Sequence, residues 1–212
     1  MKWKFYIISV KDCDRREHCI SLQKKLGHNS EIIDAYYWKT HDVVGMMQDL
    51  GIDFSSGLSR SQIGCFLSHR EAWKKIALSD EQEYSIIIED DMDTNNNYDL
   101  SHLEKDFTET DFDCISMWKH PERIPSSFEK YTENLIHAYK QWGTCVYCIR
   151  PKICQELLNI KYFPSPLDDF LYGNIYPNKK VYFTKDEMFV NLGILGGYEW
   201  KDNFKFKSLI WR

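Results

Sequence analysis

Glu89, Asp90 and Asp91 stand side by side at the end of the apolar run 84–88, with Asp93 two positions further on. Adjacent carboxylates repel one another unless a cation sits among them. Hard oxygen donors on one loop suit Mg2+ or Mn2+. Held there, such an ion would act as a Lewis acid and stabilise the charge left on the phosphates of a nucleotide when the bond to a transferred group breaks. The competing reading is a solvated acidic turn. The run before the triplet tips the balance, because consecutive apolar side chains suit a central strand covered on both faces. In open α/β sheets ligands bind beyond the carboxyl ends of such strands.

The triplet alone names no reaction, since phosphotransferases, nucleases and sugar transferases all use carboxylate-held metals. Neither a G-x-x-x-x-G-K-[ST] phosphate loop nor a G-x-G-x-x-G turn after the first strand is present. Cys145 and Cys148 have the C-x-x-C spacing of zinc or thiol redox sites. On a strand, side chains three apart point to opposite faces, and no second cysteine–histidine pair has metal-site spacing, so that reading is set aside. Gly64, Ser68 and Glu71 fall at helical spacing away from an apolar stripe, where Gly64 permits close approach of backbone or ligand and Ser68 and His69 offer donors. His69 by itself reads as structural. Trp118, Trp142 and Trp200 are candidates to stack on a ring, though most of the seven tryptophans belong to a core.

These side chains need a scaffold. Residues 3–10 are apolar, β-branched and aromatic, and predict a first strand. Asp14 with Glu17 resembles a capping box, Cys19, Leu22 and Leu26 follow at helical spacing, and Gly27 ends that helix. Ile32 and Ile33 open a second strand leading to Asp34, and 43–50 predicts a short helix closed by Gly51. Ser59 with Gln62 is a second capping box, and Ile63, Phe66, Leu67, Trp73, Ile76 and Ala77 share one stripe of the helix it starts. Strands are expected at 84–88, 112–118 and 144–149, and helices from Pro151 and over 166–175. The tail from Gly196 has no clear period and reads as an irregular cover. This alternation is that of an α/β fold.

At 212 residues the chain suits one domain, with a core at about 4–183 and 184–212 as a C-terminal cover. Hydrophobic residues at 43% and charged residues at 28% exclude a chain too polar to bury a core. A net charge of -5 lacks the footprint of a nucleic-acid binder. Apolar stretches such as 5–8 and 86–88 fall far short of the roughly 18 residues of a membrane helix. The start Met1-Lys2-Trp3 has none of the marks of a secretory signal, so a cytoplasmic, bacterial or viral type of enzyme is expected, soluble or membrane-peripheral. Seven scattered cysteines read as reduced, mostly buried thiols.

The segment Ser61-Gln62-Ile63-Gly64-Cys65-Phe66-Leu67-Ser68-His69, with Trp73 after it and Ile88-Glu89-Asp90-Asp91 beyond, closely resembles the signature of glycosyltransferase family 25. That family includes bacterial lipopolysaccharide galactosyltransferases and collagen hydroxylysine galactosyltransferases. Residues 5–16 resemble its opening strand and Asp-Arg-Arg turn, and Ile33-Asp34-Ala35 the start of its second block. Trp142-Gly143-Thr144 with Tyr147, and Pro166-Leu167-Asp168-Asp169-Phe170-Leu171, are similar to its later elements. The chain departs from the pattern at Ser9, near Asp12 and at Tyr37-Trp38, where the family usually has asparagine, a basic residue and an aspartate–glycine pair.

The resemblance implies a single-domain GT-A-type, Rossmann-like fold with a mixed central sheet that binds a nucleotide sugar. It implies an inverting, metal-dependent enzyme that moves galactose or glucose from a UDP-sugar to a hydroxyl of a glycan or a hydroxylysine-type side chain. Glu89 and Asp91 then meet Mn2+ or Mg2+, with Asp90 turned elsewhere or holding the ribose. Asp168 matches the base that takes the acceptor proton, with Asp169 its rival and a helix-dipole carboxylate the bland alternative. Arg15 and Arg16 pair with the diphosphate or face solvent on a helix turn. Asp34, Gly64, Ser68 and His69 complete the donor side. The departure at Tyr37-Trp38 motivates a second reading, a transferase fold that binds a sugar nucleotide or glycan without turnover. A metal-dependent nuclease or phosphotransferase shares the carboxylates but lacks a basic face.

Overall fold

The computed structural model describes residues 2–95, 98–120, 127, 129–138 and 143–192. The first expected strand is β1 (Lys2–Ser9), followed by α1 (Arg16–Leu26), β2 (Ser30–Asp34), α2 (Val43–Asp49), β3 (Asp53–Phe54) and α3 (Arg60–Ile76). β4 (Glu83–Glu89) ends in the acidic triplet, and β5 (Met92–Thr94) follows it directly. Then come α4 (Glu104–Glu109), β6 (Cys114–Ser116), β7 (Leu135–His137), β8 (Val146–Ile149), α5 (Pro151–Leu158) and β9 (Tyr162–Phe163). α6 (Leu167–Phe170) runs into a π-helical turn, Leu171–Ile175, and β10 (Val181–Thr184) and β11 (Phe189–Asn191) close the described chain.

Seven strands make one mixed sheet in the order β2-β1-β4-β8-β6-β10-β7. β1 is parallel to both β2 and β4, whereas β8 is antiparallel to both β4 and β6. Strand alternation sends Phe5, Ile7, Ile86 and Ile88 to one face, where they meet Cys19 and Leu22 of α1 and Phe107 of α4. Tyr6, Ile8, Ile87 and Tyr147 face the other way, onto Phe66, Trp73 and Ile76 of α3 and Ile153 of α5. β4 is thus covered on both faces, as its unbroken apolar run requires.

The strongest local signal survives intact. Ser59 Oγ accepts from the Gln62 backbone N–H while the Gln62 side chain accepts from the Ser59 N–H, so both halves of the capping box start α3. The Asp14–Glu17 box does not form. Asp14 is exposed, the cap position falls on Arg15 without a side-chain bond, and Arg15 is drawn inward by Asp90. Gly27 does end α1, with φ 86°. The expected strands at 112–118 and 144–149 shorten to β6 and β8, and 166–175 divides into α6 and the π-helical turn.

β11 pairs antiparallel with β5, and the Leu192 N–H donates to the Asp91 carbonyl, so this segment frames the acidic turn. Trp142, Trp200, the tail from Gly196 and most of the loop 120–130 lie outside the described residues. None of the seven cysteines forms a disulfide, and five are buried. Among the described residues no helix is long and apolar enough to cross a membrane.

Candidate active site

The parallel strands β2, β1 and β4 point their carboxyl ends to one edge of the sheet, and the register places Ile8 beside Glu89. A cleft opens there. Its floor is Glu89, Asp90 and Asp91; Tyr36, Tyr37 and Trp38 form a wall after β2; Ser61, Gly64, Cys65, Ser68 and His69 line it from α3; and Arg15 enters from the start of α1. Ridge and loop fit closely. A Cβ on Gly64 would lie 2.5 Å from the Tyr36 carbonyl oxygen, and Ser68 Oγ accepts the Tyr36 N–H at 2.9 Å while donating to the Gly64 carbonyl at 2.6 Å. Only glycine lets the helix touch that peptide. Gly64→Ala is therefore expected to lower stability by about 1–3 kcal/mol, because the clash is with backbone rather than a flexible side chain. It should also displace the aromatic wall; thermal melts that match wild type would refute this account of the contact.

The three carboxylates are not equivalent. Glu89 Oε1 accepts from Thr144 Oγ1 at 3.0 Å and lies 3.3 Å from His69 Nε2, close enough for an ion pair but too bent for a full hydrogen bond. Burial alone would raise the Glu89 pKa, but the His69 contact, the Thr144 bond and the Arg15 charge hold it below the ordinary carboxylate value. Asp90 is in an ion pair with Arg15 at 2.6 Å, yet burial and the Glu89 charge still raise it. Burial works against the Arg15 charge, and Asp90 and Asp91 more than restore it. Asp91 Oδ1 is buried with no hydrogen-bond partner among the described residues. Burial and the charges of Glu89 and Asp90 push Asp91 up to about 7, against the pull of Arg15 and Asn191. An ionised carboxylate beside one held near neutrality, with an orphaned oxygen, is a pair that a divalent cation would satisfy.

Ligand atoms of Glu89, Asp91 and Cys145 lie within 4.8 Å of one another, as do those of Cys65, His69 and Glu89. The expected pair Glu89 and Asp91 is thus brought together, and Cys145 joins it. Two sequence expectations fail here. Cys145 lies just before β8, so strand alternation does not separate it from Cys148, and both pack in the same cluster. Cys65 and His69, one helical turn apart, do form a cysteine–histidine pair facing a carboxylate.

Other expected residues lie further out. Arg16 pairs with Asp34 at 2.8 Å and with the Ser9 carbonyl at 3.3 Å, tying together the ends of β1 and β2 outside the cleft lining. Asp168 and Asp169 do not line the cleft either. Asp168 accepts from the N–H groups of Gly143 and Asp169, both at 2.9 Å, while burial raises its pKa against those bonds. Gly143 and Thr144 therefore hold Asp168 and Glu89 through successive residues of one loop. Gly143 adopts φ +90°, with a Cβ position 2.7 Å from the Trp118 ring. Trp118 is buried and is not an open stacking surface. Tyr37 and Trp38 line the cleft beside Tyr36, with Lys39 Nζ at 5.8 and 5.3 Å from the Tyr37 and Trp38 ring centroids.

A mixed sheet whose parallel strands end in a half-buried acidic floor, roofed by a helix and walled by aromatic rings, defines the GT-A-type, Rossmann-like class of α/β domain. The family described as glycosyltransferase family 25 (LPS biosynthesis protein) matches residues 2–171, and this chain belongs to it. Procollagen galactosyltransferase 2 of Mus musculus is 30% identical over 125 residues, covering 55% of this chain and 20% of that protein. Procollagen galactosyltransferase 1-B of Xenopus laevis is 26% identical over 176 residues, covering 74% and 28%. The chain thus spans well under a third of the length of these relatives. The crystal structure of A197 from STIV is similar with a TM-score of 0.47 at 12% identity, covering 89% of this chain and 83% of that one.

Proposed function

We propose that this chain is an inverting, metal-dependent hexosyltransferase that moves galactose or glucose from a UDP-sugar to a hydroxyl of a glycan or a hydroxylysine-type side chain. The observation that carries the reading is the pairing of Glu89 with Asp91 and its orphaned Oδ1 at the cleft floor. Membership of the family and the galactosyltransferase names of its relatives support the hexose and the hydroxyl acceptor.

Glu89, Asp91 and Cys145 are the residues to hold Mn2+ or Mg2+, which would supply Lewis-acid stabilisation of the departing diphosphate. Arg15 neutralises Asp90 and lends its charge to the floor without leaving the protein. Tyr37 and Trp38 offer flat faces to the base or ribose. Asp168 is our choice for the base, held by Gly143 next to the Thr144 that bonds Glu89, with Asp169 its rival. In one step the acceptor oxygen bonds to the anomeric carbon, the bond from that carbon to the diphosphate breaks, and the hydroxyl proton passes to Asp168.

The test is release of UDP from UDP-galactose and UDP-glucose in the presence of Mn2+ with glycan and hydroxylysine acceptors. Asp168→Asn should lower kcat by about 100-fold or more with KM for the donor little changed. Equal kcat in that variant, with loss in Asp169→Asn, moves the base by one residue. The Tyr37 and Trp38 rings in the cleft favour one second reading, a binder that holds the sugar nucleotide without transfer. Calorimetric donor binding without any turnover would select it.

A further inference from the structure

Tyr147 projects from β8 into the core beneath α3 and is buried with His69 and Trp73. Its hydroxyl oxygen lies 3.0 Å from Trp73 Nε1 and 2.8 Å from His69 Nδ1. An indole N–H only donates, so Trp73 occupies a lone pair of that oxygen and the Tyr147 hydrogen needs an acceptor elsewhere. A phenol is protonated at neutral pH, so the hydrogen is present. Among the described residues, His69 Nδ1 is the acceptor within reach. If Nδ1 carried a hydrogen, the Tyr147 hydroxyl would be buried without a partner, at a cost of about 1–3 kcal/mol. In that tautomer the Nε2 lone pair would also point toward the Glu89 carboxylate 3.3 Å away. A doubly protonated ring meets the same conflict at Tyr147.

We infer that Tyr147 is a positioning residue that fixes His69 as the Nε2–H tautomer, so that Trp73, Tyr147 and His69 form a one-way hydrogen-bond chain whose last N–H faces Glu89 Oε1 at 3.3 Å. The Cys65, His69 and Glu89 cluster is then no cation site in the metal-free protein, because the nitrogen facing Glu89 already carries a hydrogen. His69 and Thr144 both address Oε1 of Glu89, which leaves Oε2 to face a cation together with Asp91. The tautomer follows from the hydrogen-bond count alone; its effect on metal uptake rests on the reading of Glu89 as a metal ligand.

Two measurements on the full chain keep these apart. In metal-free protein labelled with 15N-histidine, a long-range proton–nitrogen correlation spectrum should show His69 with an unprotonated Nδ1 and a protonated Nε2, the signal being assigned by its absence in His69→Gln. Tyr147→Phe should convert that signal to a tautomer mixture and weaken Mn2+ binding, read by electron paramagnetic resonance, by about 10- to 100-fold. A hydrogen on Nδ1 in the wild type overturns the inference, as does a Tyr147→Phe protein unchanged in both tautomer and Mn2+ affinity. The wild-type spectrum decides the tautomer even if Tyr147→Phe fails to fold. A wild-type Nε2–H signal in a protein that takes up no Mn2+ sustains the hydrogen-bond chain and removes the metal reading.

Discussion

Asp91→Asn is expected to abolish sugar transfer while making the metal-free protein more stable at neutral pH. Both effects come from one cause. Burial and the charges of Glu89 and Asp90 hold the Asp91 pKa at about 7, above its ordinary 3.8. For a carboxyl raised on folding, the native state binds the proton more tightly than the unfolded chain does. Its stabilising contribution is complete below about pH 4 and is lost as the pH rises through 7. Wild-type protein freed of metal should therefore lose stability over that window, and Asn, which carries no charge, should flatten the slope. Added Mn2+ should restore the wild type by mass action and leave the variant unaffected. Transfer should fall by about 1,000-fold or more, as expected for loss of a carboxylate that holds a Lewis acid. Melts from pH 4 to 9 with and without Mn2+, and UDP release at pH 7, check the two arms. An Asp91→Asn enzyme of full activity would remove this residue from the metal set.

Arg15→Met is expected to cost about 3–5 kcal/mol, the range for breaking a buried ion pair from one side. Arg15 and Asp90 have side chains only 4% and 13% exposed, so solvent screens their 2.6 Å contact little. Without the guanidinium, Asp90 is left charged beside Glu89 and Asp91, and Asp91 loses a neighbour that lowers its pKa. Arg15→Lys should recover only part of the loss, since a single ammonium replaces a planar fork. The double change Arg15→Met with Asp90→Leu should recover more, because it removes the stranded charge. Urea denaturation of the four proteins measures this; an Arg15→Met protein as stable as wild type would mean that solvent reaches Asp90 after all.

Much of the scaffold was legible because its signals are local. The capping box of Ser59 and Gln62, the stripe from Ile63 to Ile76 and the apolar run into Glu89 each declare an element within a few residues. The family motif on α3 then pointed to the cleft that Gly64, Ser68 and His69 line. Where a distant partner competes, the local signal loses. Asp14 had the composition of a cap, but Arg15 is held by Asp90, 75 residues away, and the helix starts without it. β5 and β11, of three residues each, are too short to show a period and exist because they pair with one another.

By itself the chain determined an α/β framework, an acidic end on a doubly covered strand and the helix that roofs it, since those depend on the order of neighbours along the backbone. Which atoms meet at that end was decided in three dimensions. Thr144 reaches Glu89 across 55 residues, and Tyr147 reaches His69 across 78. Both contacts exist because β8 lies antiparallel against β4. The same register sets Cys145 beside the carboxylates while it packs in one cluster with Cys148. No spacing rule encodes such meetings, because hydrogen bonds and electrostatic fields act over ångströms of space and take no account of how much chain lies between the groups.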